Sequence, residues 1–218
     1  MRQDLTHLLL AAAITACTVS SAFAQNAASN KAVFAYNPTG VSVRSFFEEV
    51  PLFNLADAIK TSTNGSLLLG LSMECSLWTY NNVSANGGGG KNSTSARATV
   101  RAWVYVDGDL ATPDGVVFCE RLQALGITLN TGDATDTITI ELFLRTKEAN
   151  HFNYFKGPLG PVLHDIVVLV SGDVQCTDNS GATIPCPTGV LAGFNTGTFV
   201  AIGKSVLTVE EYNNTNLR

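Results

Sequence analysis

Reactive residues and recognisable motifs are scarce in this chain. It has three histidines in 218 residues, and 14% of its residues are charged. It contains no G-x-S-x-G, no C-x-x-C and no G-x-x-x-x-G-K-[ST]. The first absence removes the strained serine turn of α/β hydrolases. The second removes the usual spacing of a thiol metal or redox site. The third removes the phosphate-cradling loop, since Gly90-Lys91 is followed by Asn92 and then by a strand pattern. The sparse charge is acidic, −5 formally, which argues against nucleic acid and against anionic membrane surfaces as partners. After Val19 no apolar run reaches the length of a transmembrane helix.

The start of the chain is an address. Met1 to His7 is polar, Leu8 to Val19 is apolar, and Ala22-Phe23-Ala24 offers small residues where a signal peptidase reads. This predicts a bacterial type of export signal at 1–24, a disordered lead at 25–31, one domain at 32–212 and a polar tail at 213–218. Ile14-Thr15-Ala16-Cys17 also resembles a lipobox, but lipidation at Cys17 would cut the apolar region short. Cleavage after Ala24 leaves Cys75, Cys119, Cys176 and Cys186, an even set in an exported chain, periplasmic or extracellular. The turn-rich TDNSGATIP suits a local Cys176–Cys186 bridge, which leaves Cys75–Cys119. With two histidines after the signal, a metal centre is not expected.

Alternation at period two dominates the rest. In Leu67 to Tyr80, Leu67, Leu69, Leu71, Met73, Cys75 and Leu77 fall on one face, which predicts a half-buried strand offering a thiol to the core. Arg97 to Asp107 alternates with Ala98, Val100, Ala102, Val104 and Val106 inward. Val117 and Cys119 share a face of the next strand. Thr137 to Lys147 predicts Ile138, Ile140, Leu142 and Leu144 inward, and Ile166 to Val170 a strand covered on both sides. Ala32 to Tyr36 and Thr198 to Glu210 complete the strands; Val41 to Val50 is ambiguous. Asn54 to Lys60 has the one helical pattern. Asn81 to Ala96, with four consecutive glycines, reads as a long flexible loop, and NHFNYFKGPLGP as an aromatic loop. The fold class is all-β: a single antiparallel β-sandwich, jelly-roll or immunoglobulin-like, of about eight or nine strands with little helix.

Candidate chemistry is thin. His151, in the aromatic loop, and His164, at a strand start beside Asp165, each read as a loop-edge histidine at the surface or bonded to a carbonyl. Glu74, Glu120 and Glu141 would suit a polysaccharide hydrolase if two of them met across a cleft. Asp107-Gly108-Asp109 with Asp114, or Asp133 with Asp136, supply partial oxygen sets for calcium, though Asp-Gly is ordinary turn chemistry; no cofactor is otherwise implied. The N-x-S/T triplets at Asn64, Asn82, Asn92 and Asn213 are of the kind such loops generate by chance. Aromatics are the remaining signal, with Trp103, Tyr105, Trp78, Tyr80 and Tyr154 as candidate ligand-binding residues. These readings predict an exported, non-enzymatic module that binds a glycan or a surface protein. The alternatives are the hydrolase and a self-assembling fimbrial or coat subunit.

Overall fold

The computed structural model describes residues 31–38, 41–43, 47–130, 133, 135–191 and 194–213. The expected signal at 1–24 and most of the expected lead and tail lie outside these. In chain order the strands are β1 (Ala32–Asn37), β2 (Val41–Val43), β3 (Phe47–Lys60), β4 (Gly65–Asn86), β5 (Gly88–Val106), β6 (Asp109–Leu110), β7 (Val116–Asn130), β8 (Thr137–Leu159), β9 (Leu163–Thr177), β10 (Thr183–Ile184), β11 (Gly189–Leu191), β12 (Phe194–Thr196) and β13 (Phe199–Asn213). Among the described residues there is no helix.

The strands make an antiparallel β-sandwich. The front sheet has the order β1–β13–β4–β8, with β2 extending the β1 edge along β13. In the back sheet β9 and β5 are central. There β3 and β10 flank β9, and β7 and β6 flank β5. β11 and β12 form a separate hairpin.

The core is where the alternation puts it. The odd residues of β4 from Leu67 to Leu77 are buried against Ala98, Val100, Ala102, Val104 and Val106 of β5 and Ile166, Val168 and Val170 of β9. Burying such side chains stabilises by roughly 1.5–3 kcal/mol each. The structure holds two disulfides, Cys75–Cys119 and Cys176–Cys186. The first joins β4 to β7 across the two sheets. The second ties β9 to the segment after β10.

Several expectations are corrected. Asn54–Lys60 is strand, the end of β3, not helix. A register shift against β9 falls between Leu55 and Ile59, and Asp57 sits there with φ 49. Residues four apart share a face in a strand as they do in a helix, so Leu55 and Ile59 fit either spacing. Asn81–Ala96 is not a loop: β4 runs to Asn86 and β5 starts at Gly88. Small hydroxyls make this strand, because they bond across the ladders, Ser84 to Thr139 and Ser95 to Thr177, each at 2.6 Å. The aromatic segment is also strand, the end of β8. Ile138 and Ile140 are not inward core; they are 45% and 38% exposed at the end of an edge strand. A register shift between Val100 and Arg101 on β5 turns Phe118 inward beside Cys119 and leaves Val117 exposed. Of the Ile166–Val170 run, Val167 and Leu169 are only half-buried.

Candidate functional site

The aromatic residues singled out from sequence do not form one platform. Tyr80 and Tyr154 are buried. The Tyr154 hydroxyl donates to the Ala102 carbonyl at 3.2 Å, and burial pushes its phenol well above the ordinary value. The Tyr80 phenol is raised as well, by burial and by the Glu141 carboxylate. Trp78 is half-buried, stacked on Phe199 with centroids 4.2 Å apart, and Arg145 lies 5.0 Å over its ring. Trp103 lies beneath Gly115, where a Cβ would come within 2.1 Å of the indole nitrogen. Tyr105 is half-buried beside Val167.

The three carboxylates do not meet. Glu120 pairs with Arg97 on the back sheet, and Glu74 pairs with Lys147 on the front sheet at 3.2 Å. Glu141 takes a hydrogen bond from Asn82. From Glu74 to Asn82, the cross-strand partner of Glu141, is a rise of roughly 26 Å. Two-carboxylate sugar hydrolysis needs a gap of about 5–10 Å, so this set does not fit it.

His164, at the start of β9, is not at the surface but does meet a carbonyl. It is 1% exposed, with Nδ1 2.6 Å from Asp107 Oδ2. Its Nε2 is 2.9 Å from Thr61 Oγ1 and 3.1 Å from the Gly160 carbonyl. Burial pushes the Asp107 carboxyl up, but hydrogen bonds from His164 and the Asp165 N–H outweigh it and hold the group below its ordinary value. Hydroxyl, imidazole and carboxylate stand in the order of a nucleophile relay, yet Thr61 is buried and donates to the Gly160 carbonyl. The arrangement clasps the end of β3, the turn after β5 and the start of β9. Of the oxygens considered for calcium, Asp107 holds His164, and Asp133 accepts from both the N–H and the hydroxyl of Thr135.

The outward face of the front sheet is different. Tyr36 on β1, Val206 on β13, Ser72 on β4 and His151 on β8 form one transverse row. The next row is Phe34, Thr208, Gly70 and Asn153. Phe34 is 72% and Tyr36 58% exposed, and Leu68, Phe155 and Tyr212 are exposed further along the same face. Between the aromatic edge at β1 and His151 at β8 lies an open groove of about 360 Å³, walled at one end by Glu74 and Lys204. Two glycines shape it. A Cβ at Gly70 would meet Thr208 Oγ1 at 2.6 Å and His151 Cε1 at 2.9 Å, and one at Gly203 would meet Glu74 Oε2 at 2.8 Å.

Polar groups line the floor. Ser72 Oγ is 2.8 Å from His151 Nδ1, and His151 Nε2 is 2.9 Å from Asn153 Oδ1. With the Asn153 carbonyl as acceptor, Nε2 carries the proton and Nδ1 accepts from the Ser72 hydroxyl. A polarised hydroxyl alone does not make an acylating site. Ser72 is in mid-sheet, paired on both sides, so its main-chain groups belong to the ladder and supply no oxyanion donors. What remains is a shallow site offering hydroxyl, imidazole, carboxylate and ammonium groups beside aromatic faces. Sequence reasoning missed Phe34 and Tyr36. The signal was present in AVFAYN, where the large aromatics alternate with small residues, but nothing in the sequence says which strand lies beside β1.

No protein-family model and no curated protein matches the chain. Among solved structures, it is similar to that of the infectious bursal disease virus Gx strain at 12% identity and a TM-score of 0.38, over 87% of this chain and 33% of that one. The infectious bursal disease virus VP2 subviral particle gives 16% identity and a TM-score of 0.21, over 84% of this chain and 41% of that one. The exo-β-1,3-galactanase of Phanerochaete chrysosporium gives 13% and 0.11, over 66% and 29%. The chain spans less than half the length of each, and at these scores the likenesses lend no argument about function.

Proposed function

We propose that this chain is an exported, non-enzymatic binding module that lays an oligosaccharide across the outward face of its front sheet. The observation that carries this reading is the row Tyr36–Val206–Ser72–His151 with its groove of about 360 Å³. Sugar rings present an apolar face to aromatic side chains and a rim of hydroxyls to polar ones. Tyr36 and Phe34 supply the first, and Ser72, Glu74, His151 and Lys204 supply the second. The groove lies at the small end of ligand sites and is open, which suits one or two sugar units of a longer chain. Two disulfides fit an oxidising compartment, periplasmic or extracellular.

Glycan-array screening followed by calorimetry tests the reading. A ligand is expected whose affinity Tyr36→Ala reduces about a hundredfold, the scale of a lost aromatic anchor, while Trp103→Ala leaves it unchanged. Absence of any glycan ligand, or a ligand indifferent to Tyr36→Ala, overturns it.

A further inference from the structure

We propose that β8 is a self-pairing edge, along which two copies of this chain join antiparallel about a two-fold axis at Phe143. Among the described residues β8 is laddered only to β4. Phe155 exchanges both of its main-chain bonds with Thr112, on the flank away from β4. The register between β4 and β8 then runs from Leu67↔Lys156 to Asn86↔Thr137 without a shift. Main-chain direction alternates along an antiparallel strand. Every odd-numbered residue from Thr137 to Asn153 therefore points its N–H and C=O outward, and none of these has a main-chain partner among the described residues.

Folded proteins blunt such an edge with proline, a bulge, a short length or charged side chains, and along this stretch β8 has only the last. β8 is 23 residues long, and its first proline is Pro158. Thr112 caps only the far end. The side chains select the occupant. On the exposed face Glu141 stands on one side of Phe143, and Arg145 on the other. Among the described residues neither has an ion-pair partner; Glu141 accepts from the Asn82 amide, and Arg145 lies over Trp78.

A two-fold axis at Phe143 sets each Glu141 directly opposite the partner's Arg145, twice by symmetry. Opposite charges placed so stabilise a pair of strands, and like charges destabilise it. An axis at Arg145 would instead oppose two arginines. On the other face the same register sets Leu142 opposite the partner's Leu144, and Ile140 opposite the partner's Thr146. This gives the exposed Ile140 something to pack against, while Ile138 falls opposite the partner's Glu148. Such an axis stands perpendicular to the sheet, so the outward faces of both front sheets lie on one side.

Sedimentation equilibrium of the full chain, from micromolar to millimolar, tests this. A concentration-dependent dimer is expected. Thr139→Pro removes an outward N–H and no main-chain bond to β4, only the exposed Ser84–Thr139 hydroxyl contact, so it should abolish the dimer with the circular dichroism of the sandwich retained. Because a proline can disturb folding, charge reversal provides the second arm. Arg145→Glu should weaken the dimer about tenfold or more, and Glu141→Arg combined with Arg145→Glu should restore it. A chain that is monomeric throughout the range overturns the proposal. So does a dimer that Arg145→Glu leaves intact, or one that the double reversal fails to restore.

Discussion

Cys75 on β4 and Cys119 on β7 are bonded across the two sheets, with Cα atoms 6.4 Å apart. The cross-link therefore closes the layered core, whereas Cys176–Cys186 closes only a local turn. Their sequence separations are 44 and 10. In the loop-entropy account the longer closure stabilises by roughly 4 kcal/mol and the shorter by about 3. Urea unfolding of Cys75→Ala/Cys119→Ala should thus show the larger loss, by about 1 kcal/mol, and a broader one, because the sulfurs also fill core volume. Equal losses would mean that the unfolded chain is already held near both bridges by other contacts.

His164 and Asp107 predict a particular acid response. The Asp107 carboxyl is held below its ordinary value of 3.8. A group depressed on folding contributes stability above its unfolded value and loses it as pH falls through the folded one. The expected loss therefore begins as pH drops below 3.8 and continues downward. Asp133 and Asp178, lowered by hydrogen bonds within their own turns, contribute to the same limb. Asp107→Asn should cost about 1–3 kcal/mol at neutral pH, since it weakens the acceptor of a buried imidazole. It should also flatten the acid limb. Thermal melts from pH 7 to pH 2.5 compare the two. An Asp107→Asn variant whose acid limb stays as steep as that of the parent would remove Asp107 from the account.

Much of this fold was legible because its central strands are buried on one face and open on the other. The odd positions of β4 and the even positions of β5 follow from the residues alone, and Cys75 falls on the correct side. Legibility failed where strand and helix spacing coincide, as at Leu55 and Ile59, and where a bulge reset the period, as at Phe118. It failed where small polar residues built strands without apolar alternation, as from Asn81 to Ala96. It failed at Ile138 and Ile140, because an edge strand leaves residues exposed that a central strand would bury. The candidate site was least legible. Tyr36, Ser72 and His151 come from three strands, and only the order β1–β13–β4–β8 brings them into one row.

That row rests on Gly70, and the dependence can be measured. Gly70 is buried between Thr208 and Asn153, and an added Cβ would press on the Thr208 hydroxyl and the His151 ring. These are ends of side chains, which can rotate, and no backbone atom is among the closest contacts. Alanine also suits a strand interior better than glycine by roughly 0.5–1 kcal/mol. The two effects oppose, so Gly70→Ala should change stability by no more than about 1 kcal/mol. It should nonetheless push the His151 ring off Ser72 and into the groove. The expected result is a sandwich that melts near the parent, a shifted His151 Cε1–H resonance, and a glycan affinity reduced about tenfold by the lost hydrogen bonds. His151→Ala, which empties the same space, separates the two causes. If crowding alone weakens the ligand, His151→Ala combined with Gly70→Ala regains affinity over Gly70→Ala. If the Ser72–His151 pair is itself the recognition element, it does not. Unchanged affinity in Gly70→Ala would move the binding surface away from this row.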